Sequence, residues 1–313
     1  MSKVAILSPS KPASRIGRIL RRTLLGLLGL LIALVLFLVL SVWLDSVFGR
    51  SATDFTNITY NAPDGTELHA YLTQPEDGGD NLPAVMMFHE WWGINRDITE
   101  LADALAAEGY VVLAPDVYRN QTTRWIPRAI WLVTQTDQDQ VGADVDAGFE
   151  YLANMNNVDA ERIGSTGFCF GGRQSLELAK RQRDALTAMV SLYGTAYTDT
   201  DPINELPTNM PLLGIYGEDD QSIAADDVRK MDKLMAEAGL NHEITIYPGV
   251  GHAFINSENY AEADAASGQA WDQMVAFLGE HLQAKAEAQM PTVRSQALAK
   301  STSNSHFICL IPQ

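Results

Sequence analysis

Apolar and polar positions follow three regimes along the chain. Leu24 to Leu44 is a run of 21 residues without a charge, broken only by Gly26, Gly29 and Ser41. At about 1.5 Å per residue such a helix spans a hydrocarbon layer of about 30 Å. From Phe55 onward, short apolar runs alternate with segments of helical periodicity. After Leu282 the chain turns polar and rich in Ala, Gln and Ser, the composition of a disordered tail over 283–313, despite the apolar Phe307 to Pro312.

The middle regime predicts its elements in order. Phe55–Tyr60 and Leu68–Thr73, split by Pro63-Asp64-Gly65, read as an opening hairpin. Ala84–Phe88, Tyr110–Ala114, Arg162–Ser165, Ala188–Leu192, Leu212–Tyr216 and Glu243–Tyr247 read as strands. Between them lie predicted helices at Ile98–Glu108, Asp139–Asn154, Arg173–Arg183, Ala224–Ala238 and Tyr260–His281. In the second of these, Val141, Val145, Phe149 and Leu152 share one face at spacings of three and four. Strands spaced by helices imply an α/β fold with a doubly wound, mostly parallel sheet, covered on both faces and preceded by one N-terminal transmembrane helix. Thr123–Val133 gathers Trp125, Ile126, Ile130, Trp131, Leu132 and Val133 around two arginines. It is read as a core helix, with a lid touching substrate or membrane as the alternative.

Charge divides the chain in the same way. Lys3, Lys11, Arg15, Arg18, Arg21 and Arg22 precede the apolar run and only Arg50 follows it closely. The positive-inside rule then puts the N-terminus in the cytoplasm and the rest beyond an inner membrane of bacterial type, on its periplasmic side. The run exceeds the h-region of a cleaved signal peptide and no Ala-x-Ala site follows, so an uncleaved anchor is expected; Arg21-Arg22 only faintly echoes a twin-arginine signal. The divisions are a basic segment 1–22, an anchor 23–48, a catalytic domain 54–282 and the tail. Residues 1–50 carry +6 and 283–313 carry +2, so the net −17 leaves −25 on residues 51–282. So acidic a domain excludes nucleic acid as a partner and needs no substrate to explain its charge. Two cysteines, Cys169 and Cys309, make no disulfide framework, although the two could pair in an oxidising space. No metal cluster or phosphate loop is present in the sequence, and neither metal nor cofactor is expected.

Chemistry concentrates at Gly167-Phe168-Cys169-Phe170-Gly171. Gly-x-Cys-x-Gly between a strand and a helix is the nucleophile-elbow pattern with sulfur in place of the usual oxygen. Cys169 then stands at a helix N-terminus, whose partial charge favours a thiolate. In a doubly wound sheet, functional groups collect on loops after the strands. There stand His89-Glu90-Trp91-Trp92, then Gly217-Glu218-Asp219-Asp220, then Gly251-His252-Ala253-Phe254. Nucleophile, acid and histidine in this order are those of the α/β-hydrolase fold. Which carboxylate of the acidic run serves is left open by the residues themselves.

Over about Phe55 to Leu282 the domain resembles the dienelactone hydrolase family, cysteine-type α/β-hydrolases. The matching segments are His89-Glu90-Trp91-Trp92-Gly93-Ile94-Asn95, Ala114-Pro115-Asp116-Val117-Tyr118, Gly167 to Gly172, Gly217-Glu218-Asp219 and Gly251-His252-Ala253-Phe254. The resemblance implies hydrolysis of a small ester or lactone by a monomeric catalytic domain. It makes Cys169 the nucleophile, Asp219 the triad acid, His252 the base and Glu90 the carboxylate that contacts the resting thiol. Backbone N–H groups of Phe170 and Trp91 would hold the oxyanion. Trp92, Phe254 and Arg119 are the candidates for substrate contact. Arg119 stands near one of the two arginines with which the family holds a substrate carboxylate, and Asn256 occupies the place of the other. A redox-sensing thiol and a non-catalytic binding module on the same fold are the alternatives.

Overall fold

The computed structural model describes residues 15–283, with side chains from residue 17. Most of the basic segment's start, the tail beyond 283 and Cys309 lie outside the described residues. Helix α1 (Arg15–Phe48) extends the apolar run back through the basic residues, and along nearly all its length its side chains face outward. Its Gly17–Phe48 stretch is long and apolar enough to cross a membrane.

The domain that follows is built on one eight-stranded sheet in the order β1-β2-β4-β3-β5-β6-β7-β8. The strands are β1 (Ile58–Asn61), β2 (Glu67–Thr73), β3 (Leu82–Phe88), β4 (Val111–Pro115), β5 (Val158–Gly167), β6 (Leu186–Leu192), β7 (Leu212–Gly217) and β8 (His242–Tyr247). From β4 to β8 all neighbours are parallel; β2 runs antiparallel to both β1 and β4, which makes the sheet mixed at that edge. Central strands are apolar throughout because both faces are covered: every residue of β3 after Leu82 and every residue of β4 and β7 is buried.

The connecting helices are α2 (Arg96–Ala107), α3 (Ile126–Gln135), α4 (Gln138–Ala153), α5 (Phe170–Arg181), α6 (Thr200–Asn204), α7 (Ala225–Glu237) and α8 (Ala266–Leu278). Local chemistry sets their ends. The Asn95 side chain accepts the Ile98 amide at the start of α2, and Asp137 accepts those of Asp139 and Gln140 at the start of α4. Each such cap contributes about 1 kcal/mol.

Several boundaries differ from expectation: β5 begins at Val158 rather than Arg162, and α5 at Phe170 rather than Arg173. The first strand begins at Ile58 because Ala52–Asp54 forms a 3₁₀ turn. The last helix begins at Ala266, not Tyr260, since residues 256–265 fold back on it: Tyr260 stacks on Trp271, and a Cβ at Gly268 would stand 2.3 Å from the Glu262 carbonyl oxygen. Thr123–Val133 is only half a core segment. Arg128, Ala129 and Leu132 are buried, whereas Trp125, Ile126, Ile130 and Trp131 are exposed.

Candidate active site

The strand β5 delivers the chain into the elbow. Cys169 sits between β5 and α5 with φ 55° and ψ −112°, a left-handed conformation that holds its side chain at the apex of the turn. The reversal is so tight that its flanks must lack a Cβ. At Gly167 a Cβ would lie 2.2 Å from the Gly171 carbonyl oxygen, and at Gly171 it would lie 2.2 Å from that of Phe88. Gly-x-Cys-x-Gly is thus a steric requirement of this turn.

Around Cys169 opens a cleft of about 540 Å³, lined by Glu90, Trp91, Trp92, Val133, Arg173, Tyr193, Ile223 and His252 among others. Five strand ends contribute. His89 and Glu90 follow β3, Cys169 follows β5, Tyr193 follows β6, Asp220 follows β7 and His252 follows β8. The backbone N–H groups of Phe170 and Trp91 donate to the Cys169 sulfur. These are the two amides that sequence reasoning assigned to an oxyanion.

The acid facing His252 is Asp220 and not Asp219. Asp220 Oδ2 stands 2.7 Å from His252 Nδ1, with the Asp220 side chain fully buried. Its other oxygen, Oδ1, accepts the amides of Ser222 at 2.7 Å and Ile223 at 2.9 Å. Asp219 is exposed, its amide held by the Val250 carbonyl. The reason is the turn after β7, which leaves Glu218 and Asp219 exposed and turns Asp220 inward, where the amides of the following loop hold it. With three acids in a row after the strand, motif spacing alone could not choose between adjacent carboxylates.

The thiol is neutral at rest, contrary to the expected thiolate. Burial and the Glu90 carboxylate push it up to about 12, outweighing the amides of Phe170 and Trp91 that pull it down. A helix terminus supplies only about half a charge. Glu90 itself is raised to about 7, by burial first and the Asp97 charge second.

His89 has a structural task. Buried beneath the cleft, it accepts the Val117 amide at Nε2, 3.3 Å, so that Nδ1 carries the proton for the Glu90 carbonyl at 2.6 Å. Burial holds it down to about 4, hence uncharged. The two bonds fix the Glu90 loop to the Pro115–Tyr118 turn.

Two expected substrate contacts are displaced. Arg119 pairs with Asp144 through Nε at 2.8 Å and Nη2 at 2.9 Å, and with Asp64 at 3.2 Å, so its guanidinium is committed outside the cleft. Phe254 packs on Tyr193 and Tyr247 behind the wall, while Trp92 does line the cleft. Asn256 caps a turn, accepting the Glu258 amide. Sequence reasoning missed Arg173, the cation of the cleft wall. Its position four residues after Cys169, one turn along the same helix face, was the available signal.

Comparison with known proteins fits this geometry. The sequence profile of the dienelactone hydrolase family matches residues 68–282. The chain belongs to the dienelactone hydrolase family. It is a carboxylic ester hydrolase, a class that takes small esters or lactones. Among this hydrolase's relatives, Protein usf of Aquifex pyrophilus is 32% identical over 226 residues, covering 70% of this chain and 95% of the relative. A Salmonella typhimurium protein provisionally named carboxymethylenebutenolidase is 33% identical over 239 residues, 72% of this chain and 87% of its own. The crystal structure of a provisionally named dienelactone hydrolase from Klebsiella pneumoniae superposes with a TM-score of 0.62 at 29% identity, covering 72% of this hydrolase and 98% of that chain. The matched region leaves α1 outside it.

Proposed function

We propose that the hydrolase cleaves its ester or lactone through Cys169, His252 and Asp220 with a thioester acyl-enzyme, and that α1 anchors it in a membrane. The observation that carries the catalytic reading is the 2.7 Å contact between His252 Nδ1 and Asp220 Oδ2 on the rim of the Cys169 cleft.

The buried carboxylate keeps the proton on Nδ1, leaving Nε2 free to accept. Substrate entry brings a carbonyl to the thiol, His252 Nε2 takes the thiol proton, and sulfur adds to the carbonyl carbon. The oxygen that becomes negative meets the N–H groups of Phe170 and Trp91. As the tetrahedral adduct collapses, the C–O bond breaks and His252 returns its proton to the leaving alkoxide, which in a lactone stays attached to the acyl group. Water, deprotonated by the same nitrogen, then attacks the thioester; the carboxylic acid leaves and the thiol is restored. Glu90 keeps the thiol protonated until substrate arrives, in line with its effect on the sulfur.

For the anchor, support comes from α1, whose most apolar 18-residue window has mean hydropathy 3.0, and from the arginines at its N-terminal end, Arg18, Arg21 and Arg22. By charge the N-terminus lies in the cytoplasm and the hydrolase domain outside it.

The test is steady-state turnover of p-nitrophenyl acetate and a panel of small lactones by the full chain in mild detergent. Cys169→Ala should abolish turnover and Cys169→Ser should retain a trace; full activity in Cys169→Ala would overturn the reading.

A further inference from the structure

Among the described residues outside α1, the large apolar side chains that stand exposed all fall within seven residues: Trp125 at 38%, Ile126 at 53%, Ile130 at 50% and Trp131 at 45%. Ile126, Ile130 and Trp131 lie on one arc of α3, and the single charge of that helix, Arg128, is turned inward. On a domain carrying −25, this arc is free of charged side chains. A patch of this kind marks an interaction surface.

What it faces is set by α1. The anchor helix is covered by the domain at Ser41, Val42 and Asp45, one stripe, and α3 lies against it there. Arg128 Nε meets Asp45 at 3.3 Å and its Nη1 donates to the Val42 carbonyl at 3.3 Å. The Trp125 indole donates to Ser41 Oγ at 3.1 Å, and Thr123 Oγ1 donates to Asp45 at 2.6 Å. Ser41 lies inside the uncharged run that ends at Leu44, about 4–5 Å below its end along the axis. The first turn of α3 therefore stands level with the last turn of the apolar band, where Trp43 is also exposed. Trp125 reaches this level through Ser41, and the Trp131 ring centroid lies 6.0 Å from the Arg128 guanidinium that holds Val42 and Asp45, so aromatic side chains collect near the end of the apolar band as they do where hydrocarbon meets headgroups.

Resting on the reading of α1 as a membrane anchor, we propose that the Trp125–Trp131 face of α3 is seated in the interfacial layer of the same bilayer, so that the domain lies down on the membrane beside its anchor. The exposed Arg50 and Arg124 flank the contact, whereas the acidic remainder is kept away from anionic headgroups. The seat adjoins the catalytic cleft. Val133 of α3 lines that cleft, and the Trp92 carbonyl, on its other side, accepts both the amide and, one residue earlier, the hydroxyl of Thr123 and Thr122. The mouth thus opens beside the bilayer surface, where an amphiphilic ester would arrive along the lipid.

The experiment uses the full chain in phosphatidylcholine vesicles containing lipid brominated high on its acyl chain, with tryptophan emission as the readout. Trp43→Phe leaves five tryptophans, of which Trp125 and Trp131 face the proposed contact. Bromolipid should quench this protein, and adding Trp125→Phe and Trp131→Phe should reduce the quenching by at least about twofold. Equal quenching with and without the two α3 tryptophans would overturn the proposal, as it would if a second protein covered the face. A chain keeping Trp43 but lacking Trp125 and Trp131 separates the two readings. Quenching there with none in Trp43→Phe removes the seat and leaves the anchor; no quenching in either removes both.

Discussion

Asp220 and Asp219 are adjacent acids with opposite surroundings, and exchanging each for Asn separates their roles. In Asp220→Asn the carboxamide oxygen stays with the amides of Ser222 and Ile223, which need an acceptor. Its NH₂ must then face His252 Nδ1. A donor there forces the imidazole into the other tautomer, with the proton on Nε2, and the nitrogen proposed as the general base can no longer accept. Losing a positioned general base lowers kcat by about 10²–10⁴-fold, equivalent to about 3–5 kcal/mol of barrier. Because both bonds to the amides survive, the fold should hold, whereas Asp220→Ala would take the acceptor from two part-buried amides, a loss of about 1 kcal/mol. Asp219→Asn touches an exposed side chain and should leave kcat within about twofold. The assay is p-nitrophenyl ester turnover beside thermal melts of each variant. A collapse of kcat in Asp219→Asn with Asp220→Asn near the parent would refute the assignment.

Glu90→Gln removes the charge that raises the thiol, so iodoacetamide should alkylate Cys169 faster at pH 8. The same change bears on stability: a carboxyl raised to about 7 in the fold contributes stability below the ordinary carboxylate range that is lost as pH rises through 7. The gain in Tm from Glu90→Gln should therefore be larger at pH 8 than at pH 5. Gly171→Ala should lower stability by about 1–3 kcal/mol or more, since a methyl group meets the Phe88 carbonyl oxygen, and a chemical melt reads it directly. Arg119→Ala should leave the KM for anionic esters unchanged while costing about 2–3 kcal/mol, because it strips a buried Asp144 of its partner; a raised KM would return Arg119 to the substrate.

Alternation of buried strands with amphipathic helices is a property of single segments, and so the sheet and most helices could be read from composition and period alone. The elbow could also be read, because its two glycines are dictated by contacts within a few residues. What could not be read depends on which way a turn faces. Asp219 and Asp220 differ by one position, and only the packing of the loop over β7 decides which one is buried. Arg119 follows the Pro115–Tyr118 turn where a substrate arginine is expected, yet Asp144, 25 residues later in sequence, claims it. The helix dipole at Cys169 was correctly placed, but the opposing terms, burial and Glu90, come from tertiary structure. Thr123–Val133 divides between a buried side, with Arg128, Ala129 and Leu132, and an exposed one, with Trp125, Ile126, Ile130 and Trp131, a split that composition alone does not reveal.

A thiol pushed up to about 12 by burial and the Glu90 charge is overwhelmingly neutral at pH 7. Peroxide attacks the thiolate, so the resting sulfur is nearly invisible to it. An exposed cysteine nucleophile has a working life limited by oxidants; under the proposed mechanism ionisation is confined to the moments when an ester occupies the cleft and the sulfur is covered. In that scheme the half-buried Glu90 carboxylate would set the durability of the catalyst as well as its timing.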